Sequence, residues 1–275
     1  MSVATPVRAA APSTPLRAEP SAATAITWLA GGAALTFAVS WVGTTLLGLQ
    51  HDLFYLIYFT AALGYLGWLA GRTQAWRDVL RHNLWWSLGV GALVAVAVVR
   101  QVMAQVGTPH PGGSYFGFEL VWRGLVYCAV DMLALVIFPT VMAYVLMHGN
   151  RSGLPRRAGF AGLLLILSLG VSASYHLGYS TYRGSELSKP LIGTAIMDLP
   201  AMLTGNPVGA LVAHPAVHTT ATVHQYYGGA GTNHYLPPEL NADYPDRPGG
   251  LSAVAIGAGW LILTGGALAL GSRRL

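Results

Sequence analysis

Apolar residues run in blocks along this chain, and the polar residues gather in the breaks between them. The blocks fall at about 26–49, 53–70, 84–106, 116–147, 159–182, 191–204, 206–224 and 250–270. A hydrocarbon layer about 30 Å thick is crossed by about 20 apolar helical residues. Within lipid, a helix satisfies its own backbone hydrogen bonds. A membrane barrel would need many segments of about ten residues with alternating polarity, and the chain lacks that pattern. The blocks therefore predict an all-α, polytopic integral membrane protein of about eight transmembrane helices. The weakest span is 191–204, where Asp198 and Pro200 interrupt the run and the segment rises only about 21 Å. It is expected to be tilted or broken, and shielded by its neighbours.

The ends and breaks read differently from the blocks. Residues 1–25 are rich in Ala, Pro, Ser and Thr with Arg8 and Arg17, the composition of a disordered tail. The run that follows is long enough to span, so it reads as a retained helix rather than a cleaved signal. Residues 26–275 then form a single transmembrane helical domain without a sustained internal repeat. The segment 225–248, with Tyr226, Tyr227, Gly228, Gly229, Pro237, Pro238 and Pro245, reads as an external loop.

Composition agrees: 53% of residues are hydrophobic and 9% charged, with a mean hydropathy of +0.51. Lipid bilayer is the partner this implies. The formal net charge of +5 raises the possibility of nucleic acid, but the basic residues form no stripe or aromatic-spaced patch, which argues against it. They follow topology instead. Arg8, Arg17, Arg72, Arg77, Arg81, Arg151, Arg156, Arg157, Arg273 and Arg274 all fall on one face of an eight-span arrangement. The opposite loops hold only Arg183, Lys189 and Arg247. The positive-inside rule makes the first face cytoplasmic, so both termini are expected there, in a bacterial-type plasma membrane. Cys128, alone of its kind, sits in an apolar run and reads as a small core residue.

Ionisable groups inside hydrocarbon are costly, which makes them candidates for function. Five stand out: Glu119, Arg123, His176, His214 and His218. Glu119 and Arg123 are four residues apart, on one helix face, and can pair either structurally or within a site. His214 and His218 repeat that spacing. A rise of 1.5 Å per residue puts His176 and His218 each about 9 Å from the outer ends of their spans. Glu119 enters from the same side, so the five are expected to line one cavity. His224, His234, Asp131 and Asp198 are weaker candidates, read as solvated loop groups or buried hydrogen-bond partners. His-x-x-x-His is not a zinc-protease motif here, because Pro215 stands where the catalytic glutamate would be.

The order Glu119-Leu-Val-Trp-Arg123-Gly124, then a Ser-rich apolar run ending in His176, then Thr204-Gly205-Asn206-Pro207 leading to His214-Pro-Ala-Val-His218, resembles the CAAX protease and bacteriocin-processing family of intramembrane proteases. The likeness covers about residues 115–225. It implies a polytopic helical fold and an endopeptidase, active or degenerate, acting on a membrane-associated peptide or protein without a cofactor. By the resemblance, Glu119 and Arg123 match the second glutamate and the arginine of the first motif, and His176 and His214 match the histidines of the second and third. His176 would assist the attacking water, His214 and His218 would stabilise the oxyanion, and Glu119 with Arg123 would orient the site. Two departures are visible: Phe118 stands where the family has its first glutamate, and His218 replaces an amide or carboxylate.

Two alternatives stand beside this. Glu119, His176, His214 and His218 offer the nitrogen and oxygen ligands that a divalent metal such as zinc accepts. A non-catalytic scaffold or immunity-type protein that keeps only the fold is the other.

Overall fold

A computed structural model describes residues 19–49, 51–107, 113–224 and 254–264. Among these the regular structure is entirely helical. The helices are α1 (Ala22–Leu46), α2 (His51–Ala70), the short α3 (Ala75–Arg81), α4 (Leu84–Met103), α5 (helical from Gly113, with the long apolar span Phe116–Leu146), and α6 (Leu154–Leu177). They continue with α7 (Ser188–Met197), α8 (Leu199–Thr204), α9 (Ala210–His224) and α10 (Val254–Thr264). Five of them, α1, α2, α4, α5 and α6, are long and apolar enough to cross a membrane. They coincide with the first five apolar blocks.

Helix α1 begins inside the stretch expected to be a tail. Ser21 caps it, its hydroxyl accepting from the Thr24 amide at 3.2 Å, which satisfies a donor that a helix start leaves open. Residues 1–18 of that expected tail, and the expected loop at 225–248, lie outside the described residues.

The helix α5 is the axis of the bundle. Its most apolar stretch is 78% buried, against 17–39% for the other four long helices. Polar side chains on α5 are therefore shielded from lipid by protein. Two π-helical turns, at Trp122–Tyr127 and Leu133–Ile137, interrupt its α geometry. Such turns widen the helix by one residue and re-aim the side chains around them. An aromatic core packs along it, with Tyr55, Tyr58 and Phe59 of α2 and Tyr175 of α6 against Trp122 and Tyr127.

The later, weaker blocks build the rest of the bundle. The 191–204 block is broken, as its composition predicted, into α7 and α8 at Asp198, whose carboxylate accepts a short hydrogen bond from Ser168. Thr204, at the end of α8, accepts from the Asn83 amide at 3.0 Å, so the pair extends from the turns after α6 to the α3–α4 connection. The α9 helix runs parallel to α4. Ser87 holds one end, donating to the Asn206 carbonyl at 2.6 Å, and His224 holds the other, donating to the Gln105 carbonyl at 2.8 Å. Contact between the two backbones needs Gly91 and Gly209: a Cβ on Gly91 would sit 2.6 Å from the Gly209 Cα. Small residues allow this kind of approach between helices.

A histidine and aspartate cavity beside a buried ion cluster

Glu119, Arg123, Tyr127 and Asp131 recur at four-residue intervals on α5, which directs a polar strip into the protein interior. The lower part of the strip meets a void. A cavity of about 350 Å³ is bounded by α4, α5, α6, α7 and α9, and its polar lining comprises Tyr127, Asp131, His176, Tyr182, Lys189, Thr194, His214 and His218. It reaches from the middle of α5 to the turns after α6, the end of the bundle opposite the arginine-bearing loops. Ile192, 61% exposed, and Pro190 form part of its wall, so the cavity opens between α7 and its neighbours at the bundle's side.

The geometry fixes the proton arrangement of one histidine. His176 Nδ1 lies 2.8 Å from the Ser172 carbonyl, which can only accept, so Nδ1 carries the proton. In the neutral ring, Nε2 then keeps its lone pair. The ring is wedged edge-on between Tyr175 and Tyr182, at centroid distances of 4.9 and 5.1 Å. Ser172 is itself held through its hydroxyl, 2.7 Å from that of Thr194 on α7. This histidine is therefore positioned on three sides.

His214 and His218 stack along α9 with ring centroids 4.3 Å apart. His214 Nε2 approaches Asp131 Oδ2 to 3.4 Å, close enough for electrostatic pairing though without hydrogen-bond geometry. Asp131 Oδ1 accepts from the Tyr58 hydroxyl at 3.3 Å. Both ring nitrogens of His214, and Nδ1 of His218, find no hydrogen-bond partner among the described residues. Buried polar atoms are rarely left so, and those that are mark a place for water, substrate or an ion.

Glu119 and Arg123 were expected in the same cavity, and the structure places them elsewhere. They pair with each other, and Asp52 of α2 stands 3.7 Å from the guanidinium, all three essentially inaccessible. None of the three lines the cavity. The physical reason is that Arg123 is held between Glu119 of its own helix and Asp52 of α2, all buried, which draws the guanidinium toward α2 rather than toward the cavity. Phe118, read as a missing carboxylate, stacks on Trp122 at 5.6 Å and abuts α10, where a Cβ on Gly257 would lie 2.6 Å from its ring. This position packs two helices together.

The expected metal set is also regrouped. Glu119 is not with the histidines, and the ligand atoms that do cluster are those of Cys128, His214 and His218, all within 4.8 Å of one another. Zinc ligands lie about 3–4 Å apart, so a modest contraction would form a three-ligand site. Cys128 is placed there by the π turn: its Sγ reaches the Arg123 carbonyl at 3.3 Å, five residues back.

Of the weaker candidates, Asp131 belongs to the cavity, while Asp198 bonds Ser168 and His224 ties α9 to α4. His234 lies outside the described residues. Comparison with known proteins gives no matching family model, no matching curated protein and no matching solved structure.

Proposed function

We propose that the protein is a membrane-embedded hydrolase, a CAAX-protease-like endopeptidase whose catalytic groups are those of the histidine and aspartate cavity. The observation carrying this reading is the convergence of His176, His214, His218 and Asp131, from three different helices, on one cavity. Independent core histidines would be hydrogen-bonded and scattered.

In this reading His176 Nε2 takes a proton from water as the water oxygen attacks the scissile carbonyl carbon. The oxyanion that forms is stabilised by ring N–H donors of His214 and His218, with Asp131 supporting positive charge on His214. His176 then returns the proton to the leaving amine as the carbon–nitrogen bond breaks. Glu119 and Arg123 serve as a structural ion cluster with Asp52. The side opening beside Ile192 suits a membrane-associated peptide or protein that arrives through the lipid.

The topology proposed with it has eight crossings: five long helices, the α7–α8 pair, α9, and the segment containing α10. Both termini lie on the cytoplasmic side, and the cavity faces the outer leaflet. The arginine asymmetry supports this orientation. A reporter fused after residue 154 should read cytoplasmic; an external reading would reverse the placement of the cavity.

The decisive test is cleavage of internally quenched transmembrane peptides by the purified protein in liposomes, with products identified by mass spectrometry. Cleavage by the wild type and none by His176→Ala supports the proposal. Absence of any product from the wild type, or equal cleavage by the two proteins, overturns it.

The clustering of Cys128 with His214 and His218 favours one second reading, a divalent-metal site. There His214→Ala and Cys128→Ser would each lower metal stoichiometry in the purified protein. A metal-free wild type ends that reading.

A further inference from the structure

At the opposite end of the bundle, the connections that flank α3, α6 and α8 enclose a second cavity, of about 660 Å³. Four basic side chains, His82, His148, Arg151 and Arg157, line it. Neither guanidinium forms an ion pair with a carboxylate of the described residues, although Tyr144 and then Asp78 offset part of the desolvation cost of Arg151. Like charges gathered in this way repel, and burial adds a desolvation cost. Both together depress protonation of His82, for which desolvation is the larger cause and Arg151 and Arg157 the next. Two guanidinium groups facing one void, without a carboxylate in its lining, favour the entry of an anion.

The cavity is also built rather than incidental. Asn83 donates to the Thr204 carbonyl at 3.0 Å, and Asn206 donates to the carbonyls of Leu80 and His82 at 2.8 and 2.7 Å. Arg151 donates to the Gly205 carbonyl at 2.6 Å, while its guanidinium lies over the rings of Tyr144 and Phe160 at 4.8 and 5.4 Å. That single hydrogen bond uses one of five guanidinium donors. Three separate connections are thus locked around a guanidinium that keeps most of its donors. Leu203, 70% exposed, lines the cavity and continues its wall onto the apolar outer surface.

We propose that this cavity binds the phosphate group of an anionic ligand, with Arg151 and Arg157 as its direct donors. A planar guanidinium matches phosphate oxygens in pairs, which a point charge does not. Two sources carry this chemistry, a phospholipid headgroup whose acyl chains run along Leu203, and a free phosphate. Basic recesses between helices at the cytoplasmic boundary are places where anionic headgroups lodge. The site is separate from the histidine cavity, and the proposal does not depend on hydrolysis.

The test uses the full-length protein in a neutral detergent, titrated with short-chain phosphatidylglycerol, phosphatidylcholine of the same chain length, and inorganic phosphate, with occupancy read by native mass spectrometry. Phosphatidylglycerol should bind more tightly than phosphatidylcholine. Arg157→Gln, an exposed position, should weaken it about fivefold, Arg151→Gln by at least as much, and the equivalent change at Arg77, outside the cavity, should leave it unaltered. Displacement by inorganic phosphate identifies a free phosphate as a competent occupant; resistance to displacement identifies the headgroup. If Arg151→Gln does not fold, Arg157→Gln and His148→Ala carry the test. Equal binding of the two lipids without any phosphate adduct, or wild-type occupancy in folded Arg157→Gln and His148→Ala, overturns the proposal.

Discussion

The histidine cavity and the Glu119, Arg123 and Asp52 cluster lie along one polar strip of α5, yet they handle the cost of buried polarity in opposite ways. In the cluster, a cation meets carboxylates from its own helix and from α2, and none of the three lines the histidine cavity. At the cavity, the ring nitrogens of His214 have no hydrogen-bond partner among the described residues, and about 350 Å³ of space stands in front of them. Charges that pair across two helices support architecture. Polar groups left unmatched beside a void are where a reacting molecule gains something by arriving. On the proposed function, chemistry belongs to one region and stability to the other, and each half of that reading can be broken separately.

The largest expected effect is on hydrolysis. His176→Ala should lower peptide cleavage by about 10²–10⁴-fold, the range general acid–base assistance supplies, while leaving the thermal midpoint in detergent close to that of the wild type. A variant that loses both together would make His176 a packing residue. Next comes Arg123→Gln, which strands carboxylates in a dry interior and should destabilise the fold by about 3–5 kcal/mol. Its unfolding midpoint should drop sharply. Any residual folded fraction should cleave at the wild-type rate, and a selective loss of activity would return Arg123 to the reacting site.

A third, smaller effect concerns the support of α9, which carries two of the histidines. Gly209→Ala would drive a methyl group into the Ser87 carbonyl oxygen, with the Pro200 side chain 2.8 Å away. Overpacking of this kind costs about 1–3 kcal/mol. Cleavage should also fall, because α9 must shift and take His214 with it; unfolding curves and rates measured on the same preparation check both. The smallest effect is expected of Cys128→Ser. If hydrolysis is metal-free, the exchange should change stability by about 1 kcal/mol or less and leave cleavage intact. A large loss of activity, restored by added zinc in the wild type alone, would sharpen the comparison differently by making the cavity a metal centre.

How far the sequence revealed this can be seen residue by residue. The five long helices follow directly from apolar block length, and the break at Asp198 from the polar residue and Pro200 beside it. His176, His214 and His218 were legible because helical rise carries depth reliably over short distances. Asp131 is harder to single out, because a lone aspartate in an apolar run has an ordinary hydrogen-bonding explanation. The signal that could have raised it was its place in the series Glu119, Arg123, Tyr127, Asp131. Removal of Glu119 and Arg123 from the cavity could not be read from their spacing, because it depends on Asp52 arriving from another helix. Phe118 reads as a vacancy for the same reason: its stacking partner lies four residues on, but the glycine that receives its ring is on α10. The arginines near residues 151–157 were counted only as markers of orientation, since no linear pattern shows three connections closing around them.

The π turn at Trp122–Tyr127 works as a splice between two registers of the same helix. One extra residue is stored there, so the segment before it and the segment after it are set at an angle that an uninterrupted α-helix would not give. A single-residue deletion inside the turn would discharge that offset, rotating everything upstream by about 100° relative to Asp131. Conversely, an insertion or loss at this point is a small genetic step that changes which side chains share a face without altering any of them. The relative aim of the ion cluster and the cavity is thus written in chain length as much as in residue identity.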